Sequence, residues 1–441
     1  MRLKTLIIYF LTLAFIAGSS FFLKSEAKRP QENMQLAGGA ATVLDRSFSA
    51  FEIPAAGLSE TELAKHVETD PLFDKSHIPL NDHLNAGLGP LHNAKSCSAC
   101  HALNGRGRPV EGESLFRVSL REGGGTQPVP GIGFQLQDRA TYGHEPEALV
   151  VRSWKEEQGL RSLKAHITRP DGTELPEETV ARSLRIPPPV IGMGLLEAIP
   201  EVDILSNADP DDANGDGISG KPVWNTYKNG EKHIGRFGWK AIPSTVLQQS
   251  INAYLDDMGI TTPIHPETTF ADNDLPADIS WAELEGVTYY TQTLGVPATK
   301  ETSSSRIVRQ GFKLFNQLEC ASCHVAKQKT GNNPDAVAAV INNQTIWPYT
   351  DLLLHDMGPG LDDGVAEHGL SESSEWRTSP LWGIGLTKRI NHYVGFLHDG
   401  RARTIEEAIL WHGGEAESSK ERYKSLANKQ KTQLIAWLQQ L

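Results

Sequence analysis

The cysteines constrain this chain more than any other feature. There are four, and they fall in two copies of one spacing, Cys97-Ser98-Ala99-Cys100-His101 and Cys320-Ala321-Ser322-Cys323-His324. C-x-x-C-H is the attachment motif of c-type haem. Two thiols add to the two vinyl groups on one edge of a porphyrin, and the adjacent imidazole binds the iron from the proximal side. A four-Cys zinc site or two redox-active pairs would not need a His after each pair. The expectation is two covalently bound haem c groups, held by Cys97 and Cys100 and by Cys320 and Cys323. His101 and His324 would be the proximal axial ligands. Such a chain has to fold around two porphyrins.

The N-terminus predicts export. Arg2 and Lys4 precede the apolar run Leu6–Leu23, and Ser25-Glu26-Ala27 offers small residues at a cleavage point. Residues 1–27 therefore read as a signal peptide, and the protein is expected in the periplasm or otherwise exported. An uncleaved anchor is the alternative, and a membrane is involved only in that case. The remaining sequence has room for two or three domains. With 39% hydrophobic and 22% charged residues it can build cores. Its 42 Lys+Arg against 54 Asp+Glu, net -12, exclude non-specific nucleic-acid binding. That balance would suit a docking partner with a basic face.

Along the chain, Pro71 and Pro79 are expected to break up the approach to the first motif, and Gly87, Gly89, Gly105 and Gly107 to place it between loops. Leu115–Leu120 and Ala148–Ser153 read as strands. Pro187-Pro188-Pro189 reads as a rigid connection. Ile307, Val308, Gly311, Phe312 and Phe315 follow helical spacing into Cys320, and Leu434, Ile435, Leu438 and Leu441 share a helical face at the end. The predicted fold class is mainly α with minor β, built of cytochrome c-like haem domains. The predicted division is an N-terminal haem domain over 28–302, with a β-containing insertion, and a C-terminal cytochrome c domain over 303–441.

Asp209-Pro210-Asp211-Asp212-Ala213-Asn214-Gly215-Asp216-Gly217-Ile218 is dense in hard oxygen donors. Asp212, Asn214, Asp216 and Gly217 fit D-x-N-x-D-G, the first half of an EF-hand loop. Position twelve is Val223 rather than Glu, so a complete EF-hand is excluded. Calcium is expected here, with Asp209, Asp211, Asp212, Asn214, Asp216 and the Ile218 carbonyl as candidate ligands.

The sixth position of each iron separates carrier from catalyst. Thr404-Ile405-Glu406-Glu407 is a capping box. It opens a helix on which Ile405, Ala408, Ile409 and His412 share one face, ending at Gly413-Gly414. His412 is the leading candidate for the distal ligand of the C-terminal haem. Met357 and His398 are its rivals. For the N-terminal haem the candidates are Met193, His92 and His144.

Thr378-Ser379-Pro380-Leu381-Trp382, His398-Asp399-Gly400-Arg401 and Thr404–His412 resemble the closing segment of bacterial di-haem cytochrome c peroxidases, where this helix supplies a distal ligand. The chain more closely resembles the bacterial di-haem oxidoreductases often labelled "thiol oxidoreductase". That likeness rests on Gly192–Pro200, Asp209–Gly220, Gly235–Lys240, Tyr349–Gly360 and His398–Ala416. The resemblance implies a di-haem peroxidase-like arrangement. Electrons would enter at the C-terminal haem from a small electron-donor protein, and a small-molecule oxidant such as peroxide would react at the N-terminal haem. Trp376, Trp382 and Trp411 could lie between or beside the haems. The N-terminal half departs from the peroxidases, so no catalytic residue is carried over. Because the haem motifs use all four cysteines, the chain has no dithiol chemistry of its own. The alternative is an electron-transfer di-haem cytochrome without catalytic activity, which would need a strong ligand on both irons.

Overall fold

Helices Arg306–Gln317 and Asn428–Leu438 cross at Gly311. A Cβ at that glycine would lie 2.1 Å from the carbonyl oxygen of Gln433 and 2.6 Å from Trp437 Cβ, so only hydrogen allows the approach. Trp437 is fully buried under the crossing. Its ring meets Phe315 at 4.6 Å, Tyr349 at 5.5 Å and Phe312 at 5.6 Å between centroids. The two apolar stripes read in the sequence thus meet at one contact, apart from Ile307, which is exposed.

The computed structural model describes residues 34–79, 87–227, 230–264, 277–300, 305–333, 336–367, 372–393 and 395–441. The expected signal peptide, 1–27, lies outside these. From Gln35 to Leu441 the chain forms one compact unit. Among the described residues, no helix is long and apolar enough to cross a membrane.

A second helix pair flanks the first motif. Helix Glu60–Asp74 starts at a complete capping box, in which Ser59 Oγ accepts from the Glu62 amide at 3.3 Å and the Ser59 amide donates to Glu62 Oε2 at 2.6 Å. Helix Trp281–Thr293, capped by Ser280, packs against it at Gly286, where a Cβ would meet Leu72 at 2.5 Å. Pro71 does not break the approach to the motif as expected. The helix Glu60–Asp74 runs through it and ends three residues later, although a proline there gives up one i→i−4 hydrogen bond.

The expected mainly α, cytochrome c-like fold is not what the chain adopts. Helix accounts for 31% of the structure and strand for 18%, in several small sheets. Leu115–Leu120 pairs antiparallel with Val180–Arg185 (Leu115 opposite Arg185) and with Gln135–Leu136. Leu149–Glu157 and Leu160–Thr168 form a long hairpin, with Leu149 opposite Thr168. Its turn, Gln158-Gly159, has φ of 53° and 81°, the doubly left-handed geometry that matches strand twist. These strands bury one face, from Phe116, Val118, Leu136, Ile167 and Leu184, in a core of their own. Alternation over 115–185 therefore outweighs the helical signals at the two ends, and the fold is mixed α and β.

Candidate functional site

Two cavities, of about 260 and 220 Å³, each have one C-x-x-C-H motif in the wall. In the first, Ser96 Oγ caps the short helix Cys97–Cys100 by accepting from the Ala99 amide at 3.1 Å. His101 ends that turn and faces the cavity. Gly105 follows in a crowded place, where a Cβ would lie 2.4 Å from Asn391 Oδ1. Asn391 in turn accepts from the Arg106 amide at 3.1 Å and donates to the Ala102 carbonyl at 3.1 Å. The loop then delivers Arg106 to the wall of the second cavity, with a guanidinium bond to the Leu397 carbonyl.

Both proximal candidates are neutral imidazoles, the state in which a His binds metal. Burial lowers His101 and His324 to about 4. Their supports differ. His324 Nδ1 donates to the Tyr349 carbonyl at 3.0 Å, which fixes the tautomer and leaves Nε2 as the ligand atom. Tyr349 holds a φ of 55°, a strained conformation that aims this carbonyl. His101 Nδ1 makes no ordinary hydrogen bond, although the backbones of Pro188 and Gly105 lie nearby. The thiols are half-buried in the cavity walls, and desolvation there pushes Cys97 and Cys320 up to about 12 and raises Cys100 and Cys323.

The second cavity gathers His324, Met357, His398 and His412. His412 stands at the end of helix Ile405–Trp411, which Thr404 caps by accepting from the Glu407 amide at 3.0 Å. Only this half of the expected capping box forms, because the Glu407 carboxylate turns to Arg403. His412 Nδ1 donates to the Ala408 carbonyl at 2.7 Å, burial lowers its pKa, and Nε2 is free. His412 and His324 are close enough to repel each other when charged. His398 is stacked on Trp376, with centroids 3.8 Å apart and planes at 9°. Met357 remains a wall residue.

In the first cavity Met193 is present, whereas His92 is buried in a strand pair elsewhere and His144 is exposed. Among the described residues in that wall, His101 is the sole imidazole. Asp257 also lines it, raised to about 6 by burial, with Oδ1 accepting from Gln135 Nε2 at 2.8 Å.

Several site residues have no role that the sequence assigns, although Trp239, His355 and Glu415 fall within the family-like segments. Trp239 lines both cavities, pinned by a bond from its Nε1 to the Ile186 carbonyl at 2.8 Å. Of the expected tryptophans, Trp376 and Trp382 line the second cavity, while Trp411 packs under Arg401 outside it. His355 bridges two carboxylates, Asp351 at 2.9 Å and Glu415 at 2.7 Å. Burial would lower its pKa, but Asp351, Cys323 and Glu415 together raise it well above the usual range, so it is an imidazolium beside the Cys323 sulfur. Glu415 also accepts from the Ser219 amide at 3.1 Å and the Asp356 amide at 3.2 Å. This ties the end of the acidic loop to the turn just after His412.

Within the acidic loop the side chains accept from the loop's own amides. Asp209 takes Ala213 and Asn214, Asp212 takes Gly217, Asn214 takes Asp216, and Asp216 takes Ile218. Asp211 is exposed, and Ile218 lines the second cavity. Among the described residues, the His, Cys and acidic side chains close enough to share an ion are Cys323, Asp351 and His355, and the loop is not part of that group.

Paired thiols with a neutral imidazole beside them, repeated at two cavities that share a tryptophan, define a protein of the di-haem redox class. The family described as "Di-haem oxidoreductase, putative peroxidase" matches residues 32–126, 168–279 and 272–441, and the chain belongs to that family. Haem is accordingly its cofactor and oxidoreduction its class of chemistry. No curated protein and no solved structure matches it.

Proposed function

We propose that the protein is an exported, peroxidase-like oxidoreductase with two c-type haems. Electrons enter at the C-terminal haem and peroxide is reduced at the N-terminal haem. The observation that carries this reading is the asymmetry of imidazoles. The C-terminal cavity has His412 to oppose His324, whereas the N-terminal cavity has His101 alone. A bis-imidazole haem is a carrier, while an iron with a weak or absent sixth ligand can bind an oxidant. The residues fit the group: each wall is largely apolar, and each presents two thiols on one side and a neutral imidazole next to them.

Haem, when bound, supplies the one-electron and peroxide chemistry. The chain supplies the rest. The Tyr349 carbonyl and the Ala408 carbonyl orient the two imidazoles of the carrier site. Trp239, in both walls, is the aromatic group between the sites. Asp257, with its raised pKa, can hold a proton near neutral pH at the N-terminal cavity, and reduction of peroxide to two waters consumes two protons with two electrons. The basic n-region and apolar run at the N-terminus support export.

Mass spectrometry of the denatured holoprotein should find two covalent haems, and EPR of the oxidised form one high-spin and one low-spin ferric signal. Two low-spin haems in every state would instead make the protein an electron carrier.

The acidic loop is read as a calcium site on its spacing and on the left-handed turn at Gly217, φ 81°. Replacing Asp212 and Asp216 together by Ala should abolish one bound calcium by elemental analysis and lower the melting temperature in calcium, since an ion bound only to the native state stabilises it. Wild-type protein free of calcium would refute the site.

A further inference from the structure

The inner faces of helices Arg306–Gln317, Glu417–Lys424 and Asn428–Leu438 wall the C-terminal cavity through Phe315, Lys420, Tyr423, Leu434 and Leu438. Their outer faces are basic. Residues 305–319 carry Arg306, Arg309 and Lys313 against Glu319. Residues 417–441 carry Arg422, Lys424, Lys429 and Lys431, with Lys420 turned to the cavity, against Glu417 and Glu421. Seven positive groups against three negative ones is the reverse of a chain whose net charge is -12. The three acidic groups are taken up locally, Glu417 with Lys420 and Glu421 with Lys424 at 2.7 Å each, and Glu319 with Arg422. Arg306, Lys313 and Lys429 are exposed. Ile307, 52% exposed, adds an apolar surface to the same helix.

This face stands at the cavity's mouth. Glu319 and Cys320 both line the cavity, yet the Glu319 side chain is half-exposed and paired to Arg422 on the neighbouring helix. The thiol edge of the motif thus lies next to the Glu319–Arg422 pair at the margin of the basic surface. Complementary charge sets the orientation of encounter at such a surface. At physiological ionic strength charges act over about 8 Å, so acidic residues elsewhere are screened and the local face decides which partner docks.

We propose that this face is the docking surface for a small acidic electron-donor protein. The inference rests on the reading that electrons enter at the C-terminal haem, and it adds where the donor binds and the sign of its charge. One electron leaves the donor's reduced cofactor, which is oxidised, and arrives at the ferric haem, which is reduced.

A small acidic flavodoxin serves as the probe. Titration calorimetry of the oxidised holoprotein with oxidised flavodoxin reads binding without turnover, and stopped flow with flavodoxin hydroquinone reads electron transfer. Lys313→Glu with Lys429→Glu should weaken binding and slow reduction at least tenfold at 0.15 M salt. The same charge change on the hairpin, Lys155→Glu with Lys164→Glu, should alter either by less than threefold. Oxidation of the reduced protein by ferricyanide should slow in the first variant, while oxidation by the tripositive tris(phenanthroline)cobalt(III) should quicken. If the Lys313/Lys429 variant binds and reacts as wild type does, or the hairpin variant loses as much, the docking face is wrong. EPR of the half-reduced sample separates the two readings. An electron found first on the N-terminal haem overturns the entry reading and the docking face with it. One found first on the C-terminal haem upholds the entry reading, and a failure of the variants then overturns the docking face alone.

Discussion

Replacing His412 by glycine is expected to convert one low-spin haem to high spin and leave the other unchanged. His412 is neutral, its Nδ1 is committed to the Ala408 carbonyl, and its free Nε2 belongs to a residue in the cavity wall that also holds His324. Glycine removes the ligand without adding bulk, so imidazole supplied in solution should restore the low-spin spectrum. Imidazole is a stronger-field ligand than thioether, so the wild-type haem should sit at a lower potential than a His/Met haem and show no thioether band near 695 nm. The same haem in the glycine variant should rise in potential. Absorption, EPR and a redox titration read all three effects. If both haems keep their spectra, His412 is not the ligand, and Met357 from the same wall becomes the candidate.

Gly311→Val should be strongly destabilising. The site already has the Gln433 carbonyl oxygen 2.1 Å and Trp437 Cβ 2.6 Å from where a Cβ would stand. Neither neighbour can move alone, since one is helix backbone and the other begins a fully buried indole packed on Phe315 and Tyr349. The helices must separate, at about 3 kcal/mol for overpacking of this kind. Tyr349 also holds His324, so the damage should reach the haem as a broadened low-spin EPR signal as well as a lower melting temperature. Gly238→Val has more room around the added Cβ, with nothing nearer than 3.7 Å, but is strained at φ 69°. A spectrum altered only by the Gly311 substitution would separate packing at the crossing from backbone strain.

The sequence is most legible where chemistry fixes spacing. C-x-x-C-H cannot be stretched, so both motifs and the imidazoles beside them can be named from it, and the place of His412 at the end of its helix follows from periodicity and a cap. The fold class is less legible, because apolar helical stripes at the chain ends stand out above the alternation in 115–185, where the hairpin is local but the sheet around Leu115–Leu120 takes a partner distant in sequence. Leu115 and Arg185 pair across seventy residues, and no local pattern announces that. Trp239 is hidden for a related reason: it belongs to both cavities only because the chain between Pro187 and Trp239 turns back between them. Glu415 looks like a surface acid after two glycines, and its contacts with Ser219 and His355 are tertiary.

The desolvated thiols bear on how the protein is made. With Cys97 and Cys320 pushed up to about 12, almost none of either sulfur would be ionised at neutral pH in the folded, haem-free chain, and the thiolate is the reactive form. Thioether formation is therefore expected to be faster while the chain is still open than after it has folded. Haem added to a chain that has already folded should attach more slowly than haem present during folding.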